Sequence, residues 1–154
     1  MIQAWRLVRE RHVQDAFTGE GARLYGGRWN SRGAPVVYVG GSLALTALEQ
    51  FVHLRSVEST ILFFYMSVQI PDDVDVAEIE LSLLPDDWRE EPAPDSTKEV
   101  GDRWLMGGAT VGLRVPSVIV PVEYNYLLNP RHRDFSRVKI GVPEPFSFDP
   151  RMWK

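Results

Sequence analysis

The chain has no cysteine, so neither a disulfide framework nor a thiolate metal site can exist in it, and a reducing compartment suits it. Histidine is scarce: His12, His53 and His132 are scattered, none at the spacing of a zinc-binding His-Glu-x-x-His helix, and no metal is expected. Excess positive charge is missing as well. Lys and Arg number 17 against 21 Asp and Glu, a formal net charge of -4, which argues against broad binding to a phosphate backbone. Only Arg131, His132 and Arg133 make a basic cluster near a turn. No apolar run is of membrane length: Ile61 to Ile70 is about half of what a spanning helix needs, and it contains Ser67 and Gln69. The opening residues, MIQAWRLVRERH, carry charge early and lack the apolar core of a signal peptide. These absences lead us to expect a soluble, cytoplasmic protein that touches neither membrane nor nucleic acid directly. No Gly-x-Gly-x-x-Gly follows a strand and opens a helix, which disfavours a doubly wound nucleotide fold.

What is present fits one domain over residues 1–154, large enough to bury a core. IQAWRLV alternates as an opening strand, with Arg6 on the face of Ala4 and Val8 and Trp5 on the other. A glycine-rich loop runs to Gly27, and APVVYVG reads as a short buried strand with Tyr38 at its middle. Ser42 is a good N-cap for a helix over SLALTALEQFVHL. Its apolar face is expected to be Ala44, Leu45, Leu48, Phe51 and Val52, with Glu49 on the margin of that face. A strand over Thr60 to Ile70 and a weaker alternating segment, VDVAEIEL, follow. The acidic, proline-rich stretch Leu84 to Asp95 reads as an exposed loop, and Lys98 to Met106 as a short helix ended by Gly107 and Gly108. Then comes one apolar strand between prolines in LRVPSVIVPVEYNYLLNP, a strand candidate RVKIG, and the compact PFSFDPRMW. Strands outnumber helices and turns separate them, so the expected class is α+β: a mixed, mainly antiparallel sheet with flanking helices.

Three segments set a polar residue in an apolar context: the arginine of GGRWN, the glutamate of TALEQFV, and the serine and asparagine of VPSVIVPVEYN. Each has an ordinary explanation, as a surface charge, a solvated helix margin and a strand start, since polar residues are normally exposed. Together, GGRWN, VVY, LE, VPS and the pattern N-x-L-x-N-P-x-H resemble the RES-domain toxins of bacterial toxin-antitoxin pairs, a family named for an arginine, a glutamate and a serine. The resemblance spans about Trp5 to Trp153, with Leu81 to Gly107 the least matched.

That resemblance implies a fold similar to the ADP-ribosyltransferase toxins and an active site for NAD+, used as substrate, with no cofactor. It implies cleavage of the nicotinamide–ribose bond with inorganic phosphate or water as acceptor, depletion of NAD+ and growth arrest. It implies catalytic roles for Arg28, Glu49 and Ser117, NAD-binding roles for Arg6, Tyr38 and Asn125, and an Xre-type helix-turn-helix antitoxin as partner. The residue types suit such chemistry. Nicotinamide departs neutral and needs no general acid, so one carboxylate suffices where glycosidases use two. Glu49 is expected to stabilise the oxocarbenium-like transition state, Arg28 and Arg6 to grip pyrophosphate bidentately, and Tyr38 to stack on nicotinamide. Ser117 and Asn125 are expected to hold the ribose or the incoming acceptor. No histidine can be set beside Ser117, which is not expected to be a nucleophile. Gly26 and Gly27 are expected to let the backbone approach the ligand. The alternatives are a protein ADP-ribosyltransferase and a noncatalytic module that holds its antitoxin. An RNase is disfavoured by the acidic charge balance. Trp88, Trp104 and Trp153 raise the possibility of a homodimer, since all three need a place to pack.

Overall fold

A computed structural model describes all residues, 1–154. β1 (Ile2–Arg9) opens the chain, followed by a short helix α1 (Glu20–Tyr25), β2 (Val37–Gly40) and α2 (Leu43–Phe51). β3 (Phe63–Ile70) and β4 (Val76–Glu78) lead to α3 (Asp95–Gly107), and β5 (Gly112–Pro116), β6 (Tyr124–Leu128), β7 (Lys139–Ile140) and β8 (Glu144–Phe146) complete the chain. The strands form a single sheet in the order β4-β5-β6-β2-β1-β3-β7, with β8 also paired to β3. Every pairing is antiparallel except β4 with β5. The mixed, mainly antiparallel sheet is the architecture expected from the sequence.

The period-2 pattern of the strands sorts the core onto two faces. Ala4, Val37, Val39, Val68, Ile70 and Leu128 bury one face under loop residues that include Phe17 and Phe135. On the other face, Leu113, Val115 and Leu127 pack with Trp29 under α3, and Leu7 and Phe63 pack under α2 and the C-terminal segment. Trp88 and Trp104 lie against the Trp29 cluster, and Trp153 lies on Phe51 with ring centroids 5.0 Å apart. All three tryptophans therefore find packing partners within one chain, so fitting them requires no second copy.

Four local readings need correction. The apolar run expected to be one strand is two: β5 and β6 pair antiparallel, and Val118–Val120 lies in the connection between them. Residues 20–25 of the glycine-rich loop form α1 between Gly19 and Gly26, both at positive φ. α3 starts earlier than expected, at Asp95, and ends on the left-handed Gly108. The buried side of α2 carries Leu45, with Ala47 and Phe51 against the Leu7 cluster, while Leu48 and Val52 are 38% and 58% exposed. The helix is thus rotated from its hydrophobic projection, and Glu49 is half-buried. No helix is long and apolar enough to cross a membrane.

Candidate active site

α2 begins where the sequence places it, with the Ser42 hydroxyl accepting the Leu45 N–H at 3.0 Å. The link from β2 is pressed against β6: the Gly41 N–H donates to the Tyr124 carbonyl at 2.9 Å, and a Cβ on Gly41 would come within 2.7 Å of that oxygen. Only glycine fits so close an approach, and it brings α2 beside the start of β6. There, Asn125 is in register with Gly40 on one side and Val115 on the other. Ser117 follows directly on β5, its N–H donating to the Glu123 carbonyl at 2.9 Å to close the connection.

Three elements thereby deliver three side chains to one point. Ser117 Oγ donates to Glu49 Oε1 at 2.6 Å, and Asn125 Nδ2 donates to the same oxygen at 2.8 Å. Charge-assisted bonds of this length are strong and fix the carboxylate geometrically. Ser117 is 0% exposed, and its hydroxyl also accepts the N–H groups of Ile119 and Val120 at 3.1 Å each. One donor and two acceptor positions are all a hydroxyl has, so Ser117 is saturated and has no lone pair left for a nucleophile. Glu49 Oε2 is different: it has no protein partner and is not sealed from solvent. Asn125 Oδ1 is buried with no partner of any kind, the one such side-chain atom in the protein. A buried acceptor without a donor is unfavourable until a ligand supplies one.

Arg28 and Tyr38 belong to a neighbouring network. The Tyr38 hydroxyl donates to Asn30 Oδ1 at 2.6 Å and accepts the Trp29 N–H at 3.1 Å. Asn30 is fully buried and donates in turn to the carbonyls of Ala22 and Ser31 at 3.0 Å each. Burial pushes the Tyr38 phenol well above its usual pKa, so it remains a donor. A Cβ on Gly27 would lie 2.6 Å from the Tyr38 hydroxyl. The glycine expected to admit a ligand instead makes room for Tyr38. Arg28 Nη1 donates to the carbonyls of Trp88 and Glu90, at 3.1 and 2.7 Å, and its Nη2 is paired with Glu91. Arg28 therefore ties down the acidic loop between β4 and α3. From that loop Arg89 reaches the Val118 carbonyl with two nitrogens, at 3.1 and 2.8 Å. Val118 is next to Ser117, so the loop borders the Glu49 cluster.

Arg6 projects from the opposite face of the sheet. Trp5 is in register with Gly40, and its neighbour Arg6 with Met66; alternation puts Arg6 on the side away from α2 and Asn125. Its Nε donates to the Ala16 carbonyl at 2.9 Å and its Nη1 to the Tyr38 carbonyl at 3.2 Å. Burial lowers its pKa to about 10, opposed by the charge of Asp15. Of the six residues expected at the site, the structure gathers Glu49, Ser117 and Asn125, sets Arg28 and Tyr38 in the adjoining network, and puts Arg6 behind the sheet. Arg89 and Asn30 were not singled out in the sequence. An arginine in an acidic loop and an asparagine at a turn both read as solvated, and only the fold shows what they bind.

The RES domain family matches residues 3–149 of this chain. The chain is 38% identical over 152 residues to the Toxin Res of Yersinia enterocolitica, covering 98% of this chain and 99% of the relative. It is 40% identical to the Toxin Res of Photorhabdus laumondii, covering 97% of this chain and 96% of that one. It is also 37% identical to the Prs ADP-ribosylating toxin of Sphingobium, covering 96% and 94%. Among solved structures, a chain of the M. tuberculosis MbcT-MbcA toxin-antitoxin complex superposes with a TM-score of 0.77 over 98% of this chain and 86% of that one, at 17% identity, a likeness of fold. On a family match that spans nearly its whole length, this chain belongs to the RES domain family.

Proposed function

We propose that the chain is the toxin of a toxin-antitoxin pair and that it breaks the nicotinamide–ribose bond of NAD+ at Glu49. The observation that carries this reading is the divided carboxylate: Oε1 held by two donors, Oε2 open. As the bond lengthens, positive charge grows on the ribose, and a fixed carboxylate stabilises it without reorganising. Nicotinamide leaves as a neutral ring, so the lack of a second carboxylate in this hydrogen-bonded cluster is no defect. Asn125 Oδ1 is a ready acceptor for a ribose hydroxyl. Ser117 acts as a positioning residue that locks Glu49. Arg28 takes the pyrophosphate by exchanging its contact with Glu91, whose side chain is 76% exposed against 12% for Arg28. Tyr38 and Arg6 serve this site through the scaffold.

The acceptor we propose is inorganic phosphate or water, with no cofactor and no metal. The partner is an antitoxin, expected to carry the Xre-type DNA-binding domain. A second reading, transfer of ADP-ribose to a protein, is favoured by the name of the Sphingobium relative. One experiment separates these: purified protein with NAD+, with and without inorganic phosphate and with added cell protein, nicotinamide and sugar products followed by chromatography and modified protein by mass spectrometry. Phosphate-dependent loss with ADP-ribose 1″-phosphate as product is the expected result. Phosphate-independent loss assigns hydrolysis, and an ADP-ribose mass on cell protein without bulk NAD+ loss assigns transfer. Absence of nicotinamide release in every arm rejects the reading.

A further inference from the structure

A cleft of about 430 Å3 opens at the end of the sheet away from Glu49, between the close of α3 at Gly108 and the turn after β6 that carries Asn129, Arg131, His132 and Arg133. It is separate from the Glu49 cluster. Asn125 on β6 and Asn129 just past its end are four residues apart, about 13 Å at the rise of a strand. The space between them on that face is filled by Leu127, packed with Leu113 and Trp29.

The cleft presents donors. His132 is a buried side chain, 7% exposed, and its Nδ1 accepts the Asp134 N–H at 3.0 Å. That bond keeps the ring proton on Nε2, across the ring, where it has no protein acceptor. The Asp134 carboxylate lies on the Nδ1 side, 3.9 Å away. Asn129 Oδ1 accepts the Arg131 N–H at 3.0 Å, so its amino group is the part left over for a ligand. The guanidiniums of Arg131 and Arg133 donate to no protein group and join no ion pair, unlike those of Arg9, Arg23, Arg28, Arg114, Arg137 and Arg151, which are paired with carboxylates; Arg11, Arg32 and Arg103 are also unpaired and exposed, but only Arg131 and Arg133 line this cleft together. Neither guanidinium caps the carbonyl end of α3, where Gly108 N–H already bonds the Trp104 carbonyl. No carboxylate lines the cleft. In an acidic chain, two unpaired arginines flanking a largely buried imidazole whose Nε2–H still reaches solvent form a local positive field that suits a multiply charged oxyanion.

We propose that this cleft is a second ligand site that binds the phosphate group of a small molecule through Arg131, Arg133, His132 Nε2–H and Asn129 Nδ2. Its volume lies within the range of small-molecule pockets and the cleft is open to solvent, so it admits free phosphate and the phosphate group of a nucleotide-sized metabolite alike. The site needs no chemistry from Glu49 and stands whether or not NAD+ is the substrate there.

The test is a titration of the full chain by NMR, reading the His132 ring and the arginine Nε–H signals, with inorganic phosphate, with AMP, with a short DNA duplex and with sodium chloride at matched ionic strength. Saturable shifts at His132, Arg131 and Arg133 are expected with phosphate or AMP. Arg131→Gln with Arg133→Gln should weaken binding about tenfold or more, and Glu49→Gln should leave it unchanged. Saturation by AMP well below the phosphate concentration makes the source a nucleotide; equal saturation makes it free phosphate; both sustain the site. Shifts no different from sodium chloride, or shifts that survive in the double variant, overturn the proposal. So does binding seen only with duplex DNA, which would make the cleft a nucleic-acid contact.

Discussion

Two polar networks sit side by side on one face of the sheet, and they differ in how completely they are bonded. Around Tyr38, the hydroxyl, the Asn30 amide and the Trp29 N–H satisfy one another inside the protein. Around Glu49, Ser117 is saturated, Glu49 Oε2 has no protein partner and is open to solvent, and Asn125 Oδ1 is buried with nothing to bond. A fully satisfied buried network holds a fold in one shape, and a network with a buried acceptor left over is incomplete without a ligand. Residue type does not separate the two, since each has an amide and a hydroxyl. The leftover valence does.

The contrast is most sharply broken by removing the group that locks the carboxylate. Ser117→Ala frees Glu49 and strands the Ile119 and Val120 N–H groups. We expect NAD+ turnover to fall about 100-fold with a smaller change in KM, and Ser117→Thr to recover part of it. Turnover within about threefold of wild type would show that the lock is dispensable.

In the satisfied network the loss should appear as stability. Tyr38→Phe leaves Asn30 Oδ1 and the Trp29 N–H buried without partners, so unfolding free energy should drop by about 1–3 kcal/mol. Nicotinamide release by the folded fraction should stay within about threefold. Denaturant titration and kinetics on the same samples check both, and a large drop in kcat at unchanged stability would move Tyr38 into the reaction. Arg6→Gln belongs to the same class. It takes donors from the Ala16 and Tyr38 carbonyls and should destabilise by about 2 kcal/mol with KM for NAD+ unchanged.

The smallest expected effect sharpens the boundary between the networks. Glu91→Gln removes a competitor for Arg28 and should tighten NAD+ binding about two- to threefold by calorimetry. Weaker binding would mean that Glu91 presents Arg28 to the ligand rather than competing with it.

Much of the sheet was legible because strands alternate and turns carry glycine and proline. β1 and β2, the Ser42 cap and the end of α3 follow from such local signals. β5 and β6 merged into one strand because Val118–Val120 is as apolar as a strand core; what makes it a connection is Ser117, whose hydroxyl takes two of its N–H groups. The rotation of α2 was hidden for a related reason: Leu48 and Val52 are as apolar as Leu45, and only Leu7 and Phe63 on the sheet choose the buried side. At the site, Glu49, Ser117 and Asn125 were singled out through the resemblance to the RES-domain toxins, and the fold brings their side chains together. The face of Arg6, the partners of Tyr38 and the loop that Arg28 holds depend on register and on long-range contacts, which the sequence does not spell out.

The role proposed for the Glu49 carboxylate in cleaving NAD+ stands or falls on nicotinamide release by wild type and Glu49→Gln, measured side by side with their unfolding curves. Release by wild type and a loss of about 1,000-fold in the variant, at closely similar stability, are expected. Equal release by the two proteins, or none from wild type with phosphate supplied, would contradict it.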